Sequence, residues 1–215
     1  MNDIVVKDNF FDLSLIKQVF DQCQSLTCGK DFVDQHGVFK GLLVAYQAQL
    51  LNLDIKGLDQ LLDRMQELFE DRVKIVAVTY IRLYLPWDIH CDLTYNDSQD
   101  PFYNVLIPLC DAESSTVIFD QCSPGYNNFS EYKKTHSQVP MPIDQETWNQ
   151  NLSMCWTEDR LWLTIKQILP RQCAGQVVAF KRNLFHSSDS FHLRQKDPKH
   201  FLQIMTDRYH EQNTN

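Results

Sequence analysis

Basic residues are scarce in this chain of 215 residues: 20 Lys and Arg stand against 28 Asp and Glu, a formal net charge of −8. A field of that sign repels phosphate backbones and anionic membrane surfaces, which argues against nucleic acid as a partner. No run approaches 18 consecutive apolar residues, so no membrane-spanning helix is expected. There is no Pro-, Gly- or Ser-rich linker and no internal repeat. With only 6 Gly and a hydrophobic fraction of 43%, the chain reads as one core-forming domain, 1–215, rather than a repetitive or disordered one. The 7 Cys, at 23, 28, 91, 110, 122, 155 and 173, contain no CxxC pair, which removes a cysteine zinc site from consideration. Their odd number and irregular spacing fit free thiols, and the N-terminus lacks a basic region followed by an apolar run; a reducing cytoplasm is the expected location. No signal bears on the oligomeric state.

What is present begins with helical periodicity. Leu15, Ile16, Val19, Phe20 and Cys23 form a stripe entered through Asp12 or Ser14 as N-cap, and Leu58 to about Glu70 makes a second amphipathic helix. Residues 1–72 are therefore read as a helical buttress. From Val73 the character changes: VKIVAVTYIRLYL is dense in β-branched and aromatic residues and is closed by Pro86, which marks a long strand. Further strands are expected at Tyr103 to Leu109, Thr116 to Phe119, Gln176 to Phe180 and Phe201 to Thr206, and one more helix at Glu158 to Leu169. Short strands after a helical N-terminal third predict a mainly β, α+β fold, a sandwich or barrel flanked by helices with its core over 73–208. The weakly periodic stretch Ser123 to Asn151 sits in a lid-like insertion at about 121–170, because a loop that long in a compact domain is usually functional.

His90 and Asp92 follow Pro86 and Trp87 at the end of the long strand, and in extended backbone residues two apart project to the same side. One imidazole and one carboxylate therefore reach toward a common point. Two histidines and one carboxylate on one face, with the other positions open, is the arrangement that binds Fe(II) and leaves room for further ligands. His-x-Asp alone is weak, since about one such His-x-acid pair is expected by chance in a chain of this composition. The context is a later apolar strand, GQVVAF from Gly175, followed by KRNLFH, which delivers His186 as the third donor; His192, six residues on, is the alternative. The remaining histidines, His36, His136, His200 and His210, have no spacing that points to a second metal.

These segments resemble the Fe(II)/2-oxoglutarate-dependent oxygenase superfamily. YIRLYLPWDIHCDL resembles its lead-in strand and His-x-Asp pair, YNVLIPL its next core strand, and GQVVAFKRNLFHSSD its Gly-led strand and distal histidine. With FLQIMTDR they span roughly 73–208. The resemblance implies a double-stranded β-helix (jelly-roll, cupin-like) core, iron held by His90, Asp92 and His186, 2-oxoglutarate as chelating cosubstrate, and O2 as co-reactant. It implies hydroxylation of a small molecule, amino acid or peptide coupled to formation of succinate and CO2. Asp92, where a halogenase has Gly or Ala, points away from that variant. The arginine that usually pairs with the far carboxylate of 2-oxoglutarate has no counterpart; Lys199 is nearest the expected spacing, then Arg194, then Arg82. Tyr80, Tyr84 and Asn104 are candidates to line the cosubstrate pocket, against the alternative of core packing with a satisfied polar tip. Trp87 is a candidate pocket wall, and Ser187, Ser188 and Asp189 are candidates to hydrogen-bond the ligands or form an ordinary turn. The competing functions are a cupin-like metalloenzyme that does not use 2-oxoglutarate and a catalytically silent β-sandwich binding module.

Overall fold

The computed structural model of the chain describes residues 3–26, 31–33, 43–93, 102–125 and 129–208; His36, His210 and Cys28 lie outside them. Two antiparallel sheets face each other. The larger contains seven strands: β1 (Ile4–Lys7), β2 (Asp31–Val33), β3 (Leu43–Gln49), β4 (Val73–Leu83), β5 (Tyr103–Pro108), β8 (Val177–Lys181) and β10 (Lys199–Arg208), in the order β1-β8-β5-β10-β4-β3-β2. The smaller is β7-β6-β9, made of β6 (Thr116–Cys122), β7 (Ile165–Ile168) and β9 (Leu184–Ser188). It is extended beyond β9 by a single bridge between His90 and His186.

From β4 onward the chain passes between the sheets: β4 in the large one, the His90 bridge in the small one, β5 large, β6 and β7 small, β8 large, β9 small, β10 large. That alternation winds a jelly roll, and the period-2 side-chain pattern then separates three apolar layers. On β4, Val78 and Tyr80 join the layer beneath helices α1 (Leu13–Ser25) and α2 (Leu58–Gln66), while Ile81 and Leu83 join the layer between the sheets. That inner layer also holds Leu106, Ile118, Phe180, Leu184 and Phe201. The third layer, on the outer face of the small sheet, contains Val117, Phe119 and Phe185 under the insertion residues Phe129, Ile143, Trp148 and Leu152.

Helix α1 starts where its N-cap can close: the Asp12 carboxylate accepts from the Ser14 backbone N–H at 2.7 Å. Gly175, which leads β8, has a φ of 81°, and a Cβ there would stand 3.0 Å from the Phe11 carbonyl oxygen. The Phe10 and Phe11 N–H groups donate to the Gly175 carbonyl, so this position joins the N-terminal segment to the core only as glycine.

Four expectations change. The first 72 residues contribute strands β1, β2 and β3 to the large sheet as well as two helices. The segment expected as a helix from Glu158 to Leu169 is a 3-10 turn, Thr157–Trp162, followed by strand β7, where Ile165 and Ile168 pair with β6. The stretch expected as a lid holds two short helices, α3 (Phe129–Thr135) and α4 (Gln145–Asn151), whose apolar residues bury against the back of the small sheet. His186, expected just after a strand, lies within β9, where Phe185 packs outward and Leu184 inward.

Candidate metal centre

The segment that follows Trp87 alternates as extended backbone requires. Ile89, Cys91 and Leu93 are buried in the outer layer with the insertion, which turns His90 and Asp92 inward. The insertion therefore supports the ligand-bearing segment from behind. His90 and His186 exchange backbone hydrogen bonds at 3.1 and 2.8 Å, which sets their rings side by side, 4.5 Å between centroids.

Donor atoms of His90, Asp92 and His186 all lie within 4.8 Å of one another, a group able to hold a metal ion. Nε2 of His186 is 3.3 Å from Asp92 Oδ2, and Nε2 of His90 is 3.9 Å from Asp92 Oδ1. Both separations fall under about 4.2 Å, the widest that two donors bonded at about 2.1 Å to one ion can have. Each ring has its Nδ1 at the carbonyl oxygen two residues earlier: His90 at Asp88, 2.6 Å, and His186 at Leu184, 3.1 Å. A carbonyl only accepts, so each Nδ1 carries the proton and each Nε2 keeps its lone pair for a metal. Burial pushes His186 down to about 4, so its ring stays neutral.

Asp92 is held from several directions. Its Oδ1 accepts from Gln203 Nε2 at 3.0 Å and its Oδ2 from Asn104 Nδ2 at 2.5 Å. The Arg182 guanidinium, buried, donates Nε and Nη2 to the Asp92 carbonyl at 3.0 and 2.9 Å and Nη1 to the Thr206 carbonyl, while Asp92 N–H donates to the Arg182 carbonyl. Asn104, expected in the cosubstrate pocket, thus holds the carboxylate ligand. Gln203 and Arg182 went unread in the sequence; for Gln203 the signal was its place on an apolar strand, where a lone carboxamide needs a partner.

Lys199 is 2% exposed. Its ammonium donates to Ser188 Oγ at 2.6 Å and Ser114 Oγ at 3.3 Å and sits over the rings of Phe191 and Phe201. Ser188 is two residues beyond His186 on β9, so the two share the inner face. Lys199 makes no ion pair among the described residues; burial, against the raising effect of nearby Asp189, pushes it down to about 7.

The other basic candidates are engaged elsewhere. Arg194 pairs with Asp189 Oδ2 at 2.5 Å and donates to the Glu113 carbonyl at 2.7 Å. Tyr80, Arg82 and Tyr84 follow the side of β4 that faces away from the inner layer. Tyr80 bonds His200 Nδ1 at 2.7 Å, Arg82 lies over Tyr46, and Tyr84 packs edge-on to Tyr46. The physical reason is the strand's period of two: Ile81 and Leu83 take the inward positions. His192 sits in a 3-10 turn, Phe191–Leu193, outside the three-residue cluster. Trp87 packs edge-on to His90, 5.7 Å between centroids. Of the Ser-Ser-Asp run, Ser187 donates to the Trp87 carbonyl, Ser188 accepts from Lys199, and Asp189 takes Arg194; none bonds a ligand side chain.

No protein-family model matches the chain, and no curated protein matches it in sequence. Solved structures match along nearly its whole length. The non-heme alpha ketoglutarate dependent epimerase SnoN from nogalamycin biosynthesis superposes with a TM-score of 0.65 at 10% identity, over 96% of this chain and 79% of that one; one of its structures holds Fe3+ and alpha ketoglutarate. This chain has the jelly-roll fold of the iron and 2-oxoglutarate oxygenases. A Pseudomonas putida prolyl-4-hydroxylase matches with a TM-score of 0.56 at 10% identity, over 98% and 95% of the two chains. A viral collagen prolyl hydroxylase from Paramecium Bursaria Chlorella virus-1, in its 2OG complex, matches with 0.55 at 10% identity, over 97% of each.

Proposed function

We propose that this protein is an Fe(II)- and 2-oxoglutarate-dependent oxygenase that hydroxylates a small-molecule, amino-acid or peptide substrate, with O2 as co-reactant. The observation that carries the reading is the pairing of a two-His, one-carboxylate cluster with a buried ammonium on the same inner face that makes no ion pair among the described residues. The donor chemistry fits the metal: two neutral imidazoles and one carboxylate leave a divalent ion with net charge of about +1 and half its positions open. It fits the cosubstrate too, because a dianion chelating that ion with one carboxylate would bring its other carboxylate to the Lys199 end.

His90, Asp92 and His186 would hold the iron, which when bound supplies the oxidising chemistry with O2 and 2-oxoglutarate. Lys199 supplies a point charge, and Ser114 and Ser188 orient its N–H bonds, a different solution from the bidentate fork of arginine. Phe191 and Phe201 exclude water from that charge, which strengthens its attraction for a carboxylate. The second reading is an outcome other than hydroxylation, since the structural neighbours include a non-heme alpha ketoglutarate dependent epimerase and a carbocyclase.

Mixing the protein anaerobically with Fe(II) and 2-oxoglutarate tests the reading. The weak visible charge-transfer band of the chelate is expected, with succinate formed on admission of air and neither signal from His90→Ala. Absence of the band with the wild-type protein overturns the reading. Turnover stimulated by members of a metabolite and peptide library then identifies the substrate class.

A further inference from the structure

We infer that Asn104 and Gln203 are positioning residues that fix the rotation of the Asp92 carboxylate, and so how it is presented to a metal held with His90 and His186. This rests on the metal reading above.

The two carboxamides come from adjacent strands of the large sheet, β5 and β10, where Asn104 pairs with Met205 and Leu106 with Gln203. Asn104 and Gln203 are therefore neighbours on the inner face, one on each side of the same carboxylate. Each donates one N–H to a different oxygen of Asp92. Turning the carboxylate about its Cβ–Cγ bond would break both bonds, so together they fix which oxygen faces which histidine: Oδ2 lies 3.3 Å from His186 Nε2 and Oδ1 3.9 Å from His90 Nε2.

Asn104 shows that the donor is what the site retains. Its side chain is fully buried, its Oδ1 has no partner among the described residues, and its Nδ2 is spent on Asp92. A buried acceptor without a partner is destabilising, and a leucine of similar size would avoid it. The residue does something for Asp92 that leucine cannot. Both donors are also neutral. An arginine or lysine in either place would hold the carboxylate equally well but add a positive charge within a few ångströms of the metal and repel it. The backbone of Asp92 is fixed separately by Arg182, through its carbonyl, so the two amides have only the side-chain rotation left to govern.

Cobalt(II), a redox-stable stand-in for iron, gives a readout independent of turnover. Gln203→Met and Asn104→Leu keep side-chain size and delete the donor. Titrated at a temperature well below the melting midpoint of each metal-free variant, each is expected to bind Co(II) about 10- to 100-fold more weakly than wild type, the usual cost of losing a residue that holds a metal ligand. The visible Co(II) bands should also change in intensity as the carboxylate becomes free to alter its mode of attachment. A merely structural role for the amides would lower the melting midpoint and leave affinity and spectrum unmoved, and that result overturns the inference while leaving the metal reading intact. Failure of the wild-type protein to take up Co(II) overturns both. If Asn104→Leu does not fold, Gln203→Met, on a residue with some solvent access, still decides the matter.

Discussion

Replacing Lys199 by methionine should separate cosubstrate binding from stability in opposite directions. The ammonium is buried, its partners are two serine hydroxyls, and burial has pushed it down to about 7. In the empty protein it is a cost. Below its unfolded value near 10.5 the unfolded chain keeps the proton that the folded protein holds poorly, so stability contributed at this position is lost as pH falls from about 10.5 toward 7. Methionine keeps the stem and removes the charge, so the metal-free variant should melt higher than wild type, by about 2–4 °C for each kcal/mol recovered. With 2-oxoglutarate present the sign reverses, because the carboxylate then lacks its buried cation. Breaking such a pair costs about 3–5 kcal/mol, a loss of at least a hundredfold in affinity. In wild type the dianion prefers the protonated lysine, so binding should weaken by about tenfold for each pH unit above 7 until the lysine of the complex itself deprotonates. Calorimetric titration of 2-oxoglutarate into the Co(II)-loaded protein from pH 6 to 9 reads this directly. A flat profile in wild type, or a Lys199→Met variant within threefold of wild type at pH 7, refutes the assignment.

The other expectations are simpler. His90→Ala, Asp92→Ala and His186→Ala should each abolish stoichiometric metal uptake in equilibrium dialysis, whereas His192→Ala, outside the cluster, should retain it; loss with His192→Ala would contradict the site. Arg182→Met removes three charge-assisted bonds to the Asp92 and Thr206 carbonyls in a dry place and should destabilise the fold by about 3 kcal/mol or more in urea unfolding. An effect under about 1 kcal/mol would show that Arg182 does not fasten Asp92. His200 is pushed down to about 4 by burial and by the charge of Arg82, and bonds the Tyr80 hydroxyl. Because its folded value lies below its unfolded value near 6.5, stability should fall as pH drops from about 6.5 to 4, and His200→Gln should remove part of that slope. An unchanged slope would place the acid sensitivity elsewhere.

The sequence was most legible where one residue's neighbours decide its conformation. Val73 to Leu83 and Tyr103 to Pro108 read as strands because β-branched and aromatic residues crowd them, and the His90 and Asp92 pair read as a site because extended backbone turns alternate residues to one side. Reading failed where distant partners decide. Ile165–Ile168 looks helical in a run of Leu and Ile, yet becomes a strand because β6 offers an edge. The N-terminal strand Ile4–Lys7 is four residues long and exists through its pairing with β8. Residues of β4 alternate between two faces, but whether Tyr80 and Arg82 or Ile81 and Leu83 take the inward positions depends on which side the helices cover, and no local signal carries that. The role of Arg182 was hidden for the same reason, since its bonds reach back 90 residues to Asp92.

Strand β10 ties these observations to one dimension. Its inner face presents Lys199, Phe201 and Gln203, the first proposed to hold the charge for the cosubstrate, the last bonded to Asp92. Four residues of strand separate them, about 13 Å along the chain. The spacing between the proposed cosubstrate anchor and the amide that bonds Asp92 is thus set by the pitch of a single strand rather than by loops. A slip of one residue would turn all three side chains outward and bring His200 and Leu202 in, removing both the anchor and the clamp at once. β10 is paired on both sides, with β4 from Lys199 and with β5 from Phe201, before its irregularity at Met205 and Thr206. A central strand between two long partners is the part of a sheet least able to slip. The fold therefore places Lys199 and Gln203 where register is most strongly imposed, while the insertion behind the small sheet buttresses the segment that carries His90 and Asp92.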